Sequence, residues 1–160
     1  MEISNQQINT AGNPASQLRL LGLLGLIPFA ALGLAALFVE PALVGRVGFA
    51  LAAYGAVILS FIGGIHWGLI VVGQGGEKEA SRMLTIGIGI VPSLLAWLTL
   101  LVSVPLALVM LVMGFAAMLG ADFAAHRDRR SPGWFFGSRV LLTLAVVACL
   151  VTGLVATSLA

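Results

Sequence analysis

Charged residues are scarce in this 160-residue chain: only 9% are Asp, Glu, Lys or Arg, whereas 60% are hydrophobic. Soluble domains carry about 25% charged residues, and a soluble protein of this size could not bury so much apolar surface in one core. The single cysteine, Cys149, excludes an internal disulfide. No basic, aromatic-rich soluble surface of the kind that binds nucleic acid is present. The composition therefore predicts a protein whose main partner is the lipid bilayer.

Five long apolar runs, separated by short polar segments, account for most of the sequence. Because a helix rises about 1.5 Å per residue, about 20 residues cross a hydrocarbon core of about 30 Å. We therefore expect an all-α, polytopic bundle of five transmembrane helices over residues 18–160, with residues 1–17 as a flexible tail. A tight turn is expected at Val104 and Pro105, between spans three and four. The predicted spans are 18–39, 47–72, 83–102, 106–123 and 140–160.

The basic residues predict the orientation of these spans. With five spans, the tail and the loops after spans two and four share one side of the membrane. Seven of the eight Lys and Arg residues lie on that side, and only Arg46 lies on the other. Since basic residues are retained in the cytoplasm, the N-terminus is expected to be cytoplasmic and the C-terminus outside. In an organelle, the N-terminal side would be the matrix side.

Span two carries a stripe of small residues at every fourth position: Ala52, Ala56, Ser60, Gly64 and Gly68. Residues four apart lie on one face of a helix, and small residues allow a second helix to approach closely. We expect Ser60, Gly64 and Gly68 to pack against another span of the same chain. A homodimer interface on this stripe is the alternative.

His66 is the only histidine inside a predicted span. Because a polar group is costly in lipid, we expect it to face the bundle interior. It is either a structural residue that a neighbouring carbonyl or hydroxyl satisfies, or a proton, headgroup, metal or haem ligand. A metal site needs three or four ligands, and the nitrogen and sulfur candidates are only His66, His126 and Cys149, on separate elements. No metal site is therefore expected.

Two prolines, Pro28 and Pro92, are expected to kink spans one and three at about the depth of His66. Each removes a backbone donor and frees the carbonyl four residues earlier, at Leu24 and Ile88. We expect the polar partner of His66 to come from one of these spans, near a freed carbonyl or Ser93. The candidate binding residues are His66, Trp67, Ser93 and Trp97.

Asp122 ends span four and Arg139 precedes span five on the same membrane surface, so the two are expected to form an ion pair. The basic cluster at residues 127–130 either attracts anionic lipid headgroups or only sets the topology. Nothing in the sequence assembles a nucleophile, a base and an oxyanion site. The sequence therefore argues against an enzyme and names no cofactor.

Several of these motifs together resemble a known family. They are the Gly22-to-Phe29 segment, the run Ser60-Phe-Ile-Gly-Gly-Ile-His66-Trp67-Gly68, and Val91-Pro92-Ser93. The chain resembles a family of small bacterial and mitochondrial membrane proteins of unknown function that includes the animal transmembrane protein 69. The resemblance implies a polytopic inner-membrane protein of bacterial or mitochondrial type, here placed in the bacterial inner membrane, and it carries no activity or catalytic residue.

Three functional hypotheses follow from these observations. The first is a structural or accessory component, or an assembly component, that packs with itself or with a larger membrane complex. The second is a small transporter or channel that works as an oligomer. The third is a quinone- or cofactor-binding protein centred on His66. Small size, few charges and a small-residue stripe favour the first.

Overall fold

The computed structural model describes residues 14–71, 79–127 and 133–160, and all five of its elements there are α-helices. This confirms the predicted all-α, polytopic helical bundle. The helices are α1 (Pro14–Phe38), α2 (Pro41–Val71), α3 (Glu79–Thr99), α4 (Val104–Arg127) and α5 (Gly133–Leu159).

Four of these helices are long and apolar enough to cross a membrane, over Arg19–Phe38, Pro41–Gly68, Val104–Ala124 and Phe136–Leu159. Among the residues whose side chains the structure describes, α3 contributes the shorter apolar stretch Ile86–Thr99, and the helix itself ends at Thr99. The third span predicted at 83–102 is therefore too long at its C-terminal end. There, Leu100 and Leu101 donate to carbonyls three residues back and close the last turn of α3.

The other helix ends also differ from the predicted boundaries. The first helix begins at Pro14, so residues 14–17 of the predicted tail are helical, and the rest of that tail lies outside the described residues. The predicted turn at Val104 and Pro105 is wrong, because α4 begins there. Proline is tolerated in a first helical turn, where its missing N–H has no partner to lose.

The second helix lies at the centre of the bundle and packs against each of the other four. Its Leu51 and Leu59 are fully buried. Phe29 of α1 packs edge to face on Tyr54 and Phe115, with ring centroids 4.9 and 6.1 Å apart. Large apolar side chains cover the outside of the bundle, as lipid contact requires.

The helices α2 and α3 approach each other closely at Gly63. A Cβ atom there would stand only 2.8 Å from the carbonyl oxygen of Gly89 and 3.2 Å from Pro92. The predicted packing at Gly64 and Gly68 is wrong within the chain, because both are exposed and a Cβ on either would meet no described atom within 4 Å.

Helix geometry explains this error. Four residues turn a helix by about 400°, so a stripe at every fourth position drifts by about 40° per step and about 160° over four steps. The stripe therefore starts on the buried face, at Ala52 and Ala56, and winds past half-buried Ser60 to the outside.

Candidate functional site: a buried charge cluster beside an apolar cavity

One end of the bundle holds a cluster of three polar side chains from three helices: His66 of α2, Asp122 of α4 and Arg139 of α5. His66 and Asp122 each lie five residues before the end of their helix, and Arg139 lies six residues after the start of its own. At the helical rise, all three stand about 7–9 Å inside a helix end. Their matched depth allows the three side chains to meet.

The Asp122 carboxylate is the centre of the cluster. Arg139 Nε donates to Asp122 Oδ2 at 2.7 Å, and His66 Nε2 lies 3.5 Å from Asp122 Oδ1. The side chains of His66, Asp122 and Arg139 are only 11%, 6% and 12% exposed. Charge-assisted bonds are among the stronger hydrogen bonds in proteins, so the cluster fastens α2, α4 and α5 together.

His66 faces the bundle interior, but its predicted partner is wrong. Its Nε2 faces the carboxylate of α4, and its Nδ1 lies 3.4 Å from the Ile62 carbonyl of its own helix. Both ring nitrogens therefore face an acceptor, whichever of them carries the proton. A full carboxylate is a stronger acceptor than the proline-freed carbonyls of spans one and three.

A second polar contact between helices, half-buried, was not foreseen from the sequence. The Tyr54 hydroxyl donates to the Gly25 carbonyl at 2.9 Å and so joins α2 to α1. The accepting carbonyl is next in sequence to that of Leu24, which Pro28 leaves without its helical donor. The helical donor for the Gly25 carbonyl is the N–H of Phe29, so Pro28 does not free it, and no sequence signal marks this contact.

Two buried nitrogens at this end have no hydrogen-bond partner among the described residues: Arg139 Nη2 and His126 Nδ1. The His126 ring stacks on Phe136, with centroids 4.9 Å apart and planes 3° from parallel. Arg139 thus donates to Asp122 through Nε and keeps unused donor capacity at Nη2.

A cavity of about 670 Å³ lies beside this cluster, between α1, α2 and α5. Apolar side chains and glycines form most of its wall, and the two basic residues that line it are Arg19 and Arg139. His66 and Asp122 do not line the cavity. The polar end of the cavity therefore shares Arg139 with the charge cluster, and the other two cluster residues lie outside the cavity wall.

The other predicted binding residues lie apart from both features. Trp67 and Trp97 are 54% and 58% exposed on the bundle surface, and Ser93 is half-buried. None of the three lines the cavity. Within the part of the chain that the structure describes, no three His, Cys, Asp or Glu residues are grouped to hold a metal ion.

A family model described as "Protein of unknown function (DUF3429)" matches residues 14–155, which include all of the cluster and the cavity wall. The chain belongs to this family. It is 39% identical over 140 residues to transmembrane protein 69 of Xenopus tropicalis, an alignment that covers 86% of this chain and 53% of that protein. With transmembrane protein 69 of Mus musculus it shares 30% identity over 139 residues, covering 83% and 53%. No solved structure matches.

The family membership confirms the predicted resemblance and makes this chain a multi-pass membrane protein of unknown activity. The chain spans about half the length of the curated relatives that it matches. Since the family carries no assigned reaction, the chemistry of the site has to be argued from its own residues.

Proposed function

We propose that this protein is an accessory or assembly component of a membrane, which acts by packing with itself or with a larger complex. The observation that carries the proposal is the pairing of its buried charged side chains with one another. Asp122 pairs with Arg139 and faces His66, so its charge is committed to joining three helices. A catalytic group would instead present a reactive atom to a cavity, and neither His66 nor Asp122 lines the one described.

The outer surface of α2 supports the same proposal. Gly64 and Gly68 are exposed one turn apart, and the described residues leave the space above them open. Close approach of a helix from another chain needs such a surface. The quinone-binding alternative draws less support, because both nitrogens of His66 already face acceptors within α2 and α4.

The proposed location is the bacterial inner membrane, with the end that holds the charge cluster on the cytoplasmic side. Arg19 and Arg139 lie together at that end, whereas Arg46 stands near the start of α2. In a background without Cys149, an impermeant maleimide added to whole cells should label Arg46→Cys and leave Arg127→Cys unlabelled. The reverse labelling pattern would contradict the orientation.

Native mass spectrometry of the tagged protein, purified from its source membrane in mild detergent, tests the accessory role. We expect a stoichiometric partner or a homo-oligomer. A monomer that drives solute flux in proteoliposomes, lost in Pro28→Ala or Pro92→Ala, would favour a transporter instead. A co-purified quinone or a visible absorption spectrum would favour the cofactor-binding alternative.

A further inference from the structure

We propose that the cavity between α1, α2 and α5 binds one anionic phospholipid, with an acyl chain in the apolar part and the phosphate at Arg19 and Arg139. This inference is independent of the accessory role, because it concerns the void and its wall and not the contacts of the bundle with other proteins.

The length of the cavity fits one leaflet of a bilayer. Its wall runs along α1 from Arg19 to Phe29, ten residues that span about 15 Å at the helical rise, which is half of a hydrocarbon core of about 30 Å. Ile58 of α2 and Val146 of α5 line it as well. An acyl chain that enters at the arginine end would therefore lie along this wall down to about the bilayer midplane.

The charge at the open end selects the headgroup. Arg139 borders the cavity, and its Nη2 is buried without an acceptor among the described residues. Leaving a buried donor unsatisfied is costly, and the planar guanidinium matches the oxygens of a phosphate. Asp122 offsets the charge of Arg139 from outside the cavity wall, so Arg19 supplies the positive charge at this end, and no carboxylate belongs to the described wall. A neutral quinone or a zwitterionic headgroup would complement this end less well than an anionic phosphate.

Two glycines of α1 in the cavity wall differ in the space in front of them. A Cβ on Gly22 would clash with Leu142 at 2.7 Å, whereas a Cβ on Gly25 would meet no described atom within 4 Å. Gly25→Leu therefore fills the cavity without forcing α1 away from α5. Gly45, near the start of α2, also has open space before it and lies outside the cavity wall. Gly45→Leu is the matched control.

The test is native mass spectrometry of the whole chain, exchanged into detergent that holds equimolar phosphatidylglycerol and phosphatidylcholine. We expect the wild type to retain one phosphatidylglycerol per chain with a preference of about tenfold, which corresponds to 1.4 kcal/mol. Gly25→Leu should lower this retention by about tenfold, and Gly45→Leu should behave as the wild type. Arg19→Gln should keep a bound lipid but lose the preference for phosphatidylglycerol.

Three results would overturn the proposal. Equal retention of the two lipids by the wild type would show that the arginine end does not select an anion. Unchanged retention in Gly25→Leu would place the lipid outside the cavity. A neutral quinone or a fatty acid as the tightly bound species would assign the cavity to another ligand. Arg139→Gln also breaks the pair with Asp122, so Gly25→Leu and Arg19→Gln decide the matter without it.

Discussion

Replacing Asp122 with Asn is the most informative single test of the charge cluster. The substitution keeps the shape of the side chain but removes the charge that pairs with Arg139 at 2.7 Å. The guanidinium then stays buried without a counter-ion, since the Arg139 side chain is only 12% exposed. Breaking a buried pair in this way costs about 3–5 kcal/mol, whereas an exposed pair contributes about 0–1 kcal/mol. We expect the larger loss in the free energy of unfolding.

Replacing both partners should cost less than replacing one. Asp122→Leu and Arg139→Leu each leave a buried charge without its partner, whereas the double variant leaves neither. Apolar substitution of a whole buried pair is often neutral or stabilising by about 1–4 kcal/mol. We therefore expect the double variant to be more stable than either single variant. Unfolding by SDS titration in dodecyl maltoside micelles, followed by circular dichroism, gives the four free energies of this cycle.

Glu40→Gln is the control, because Glu40 is an exposed carboxylate between α1 and α2. It should change the free energy of unfolding by less than about 0.5 kcal/mol, as most surface substitutions do. If Asp122→Asn also stays within that range, the carboxylate is not paired in the folded protein. If the losses of the two Leu variants simply add in the double variant, the two side chains do not interact.

Three further predictions concern packing, and the same SDS titration measures all of them. Gly63→Ala should destabilise the protein by about 1–3 kcal/mol, because its Cβ would meet a backbone oxygen at 2.8 Å. Gly64→Ala should be neutral. Equal effects of the two substitutions would refute the close approach of α2 and α3 at Gly63. Leu59→Ala should lower the free energy of unfolding by about 2–5 kcal/mol, since Leu59 is fully buried. Leu94 is 57% exposed, so Leu94→Ala should cost far less. A neutral Leu59→Ala would contradict the position of Leu59 in the core. His66→Phe should cost about 1 kcal/mol, less than Asp122→Asn, because Asp122 keeps its ion pair with Arg139. A larger loss for His66→Phe than for Asp122→Asn would make His66 the main partner of Asp122.

The helices and the Asp122–Arg139 contact could be read from the sequence because both depend on local features. Run length and polarity predict the spans, and the two charged residues flank a short loop, which brings the helix ends together. The excess of Lys and Arg residues on one side of the membrane also marks this end of the bundle. Even so, the helix starts at Pro14 and Val104 differ from the predicted ones. Polar residues extend α1 before its apolar run, and the first turn of α4 tolerates Pro105.

The contact between His66 and Asp122 depends on which helices are neighbours, and run lengths do not specify that. The two residues are 56 positions apart and meet only because α2 packs against α4 as well as α3. The position of the α2–α3 crossing at Gly63 likewise depends on the rotation of α2 about its axis. A cavity is the space that three helices leave between them, so no sequence pattern marks it.

The structure of the whole chain in a lipid nanodisc that contains phosphatidylglycerol, determined with a bound antibody fragment, tests the account most directly. It should show the Asp122 carboxylate between His66 and Arg139, with a lipid phosphate at the arginine end of the cavity. A bundle in which the His66 ring faces lipid, with Asp122 and Arg139 beyond hydrogen-bonding reach of each other, would contradict it.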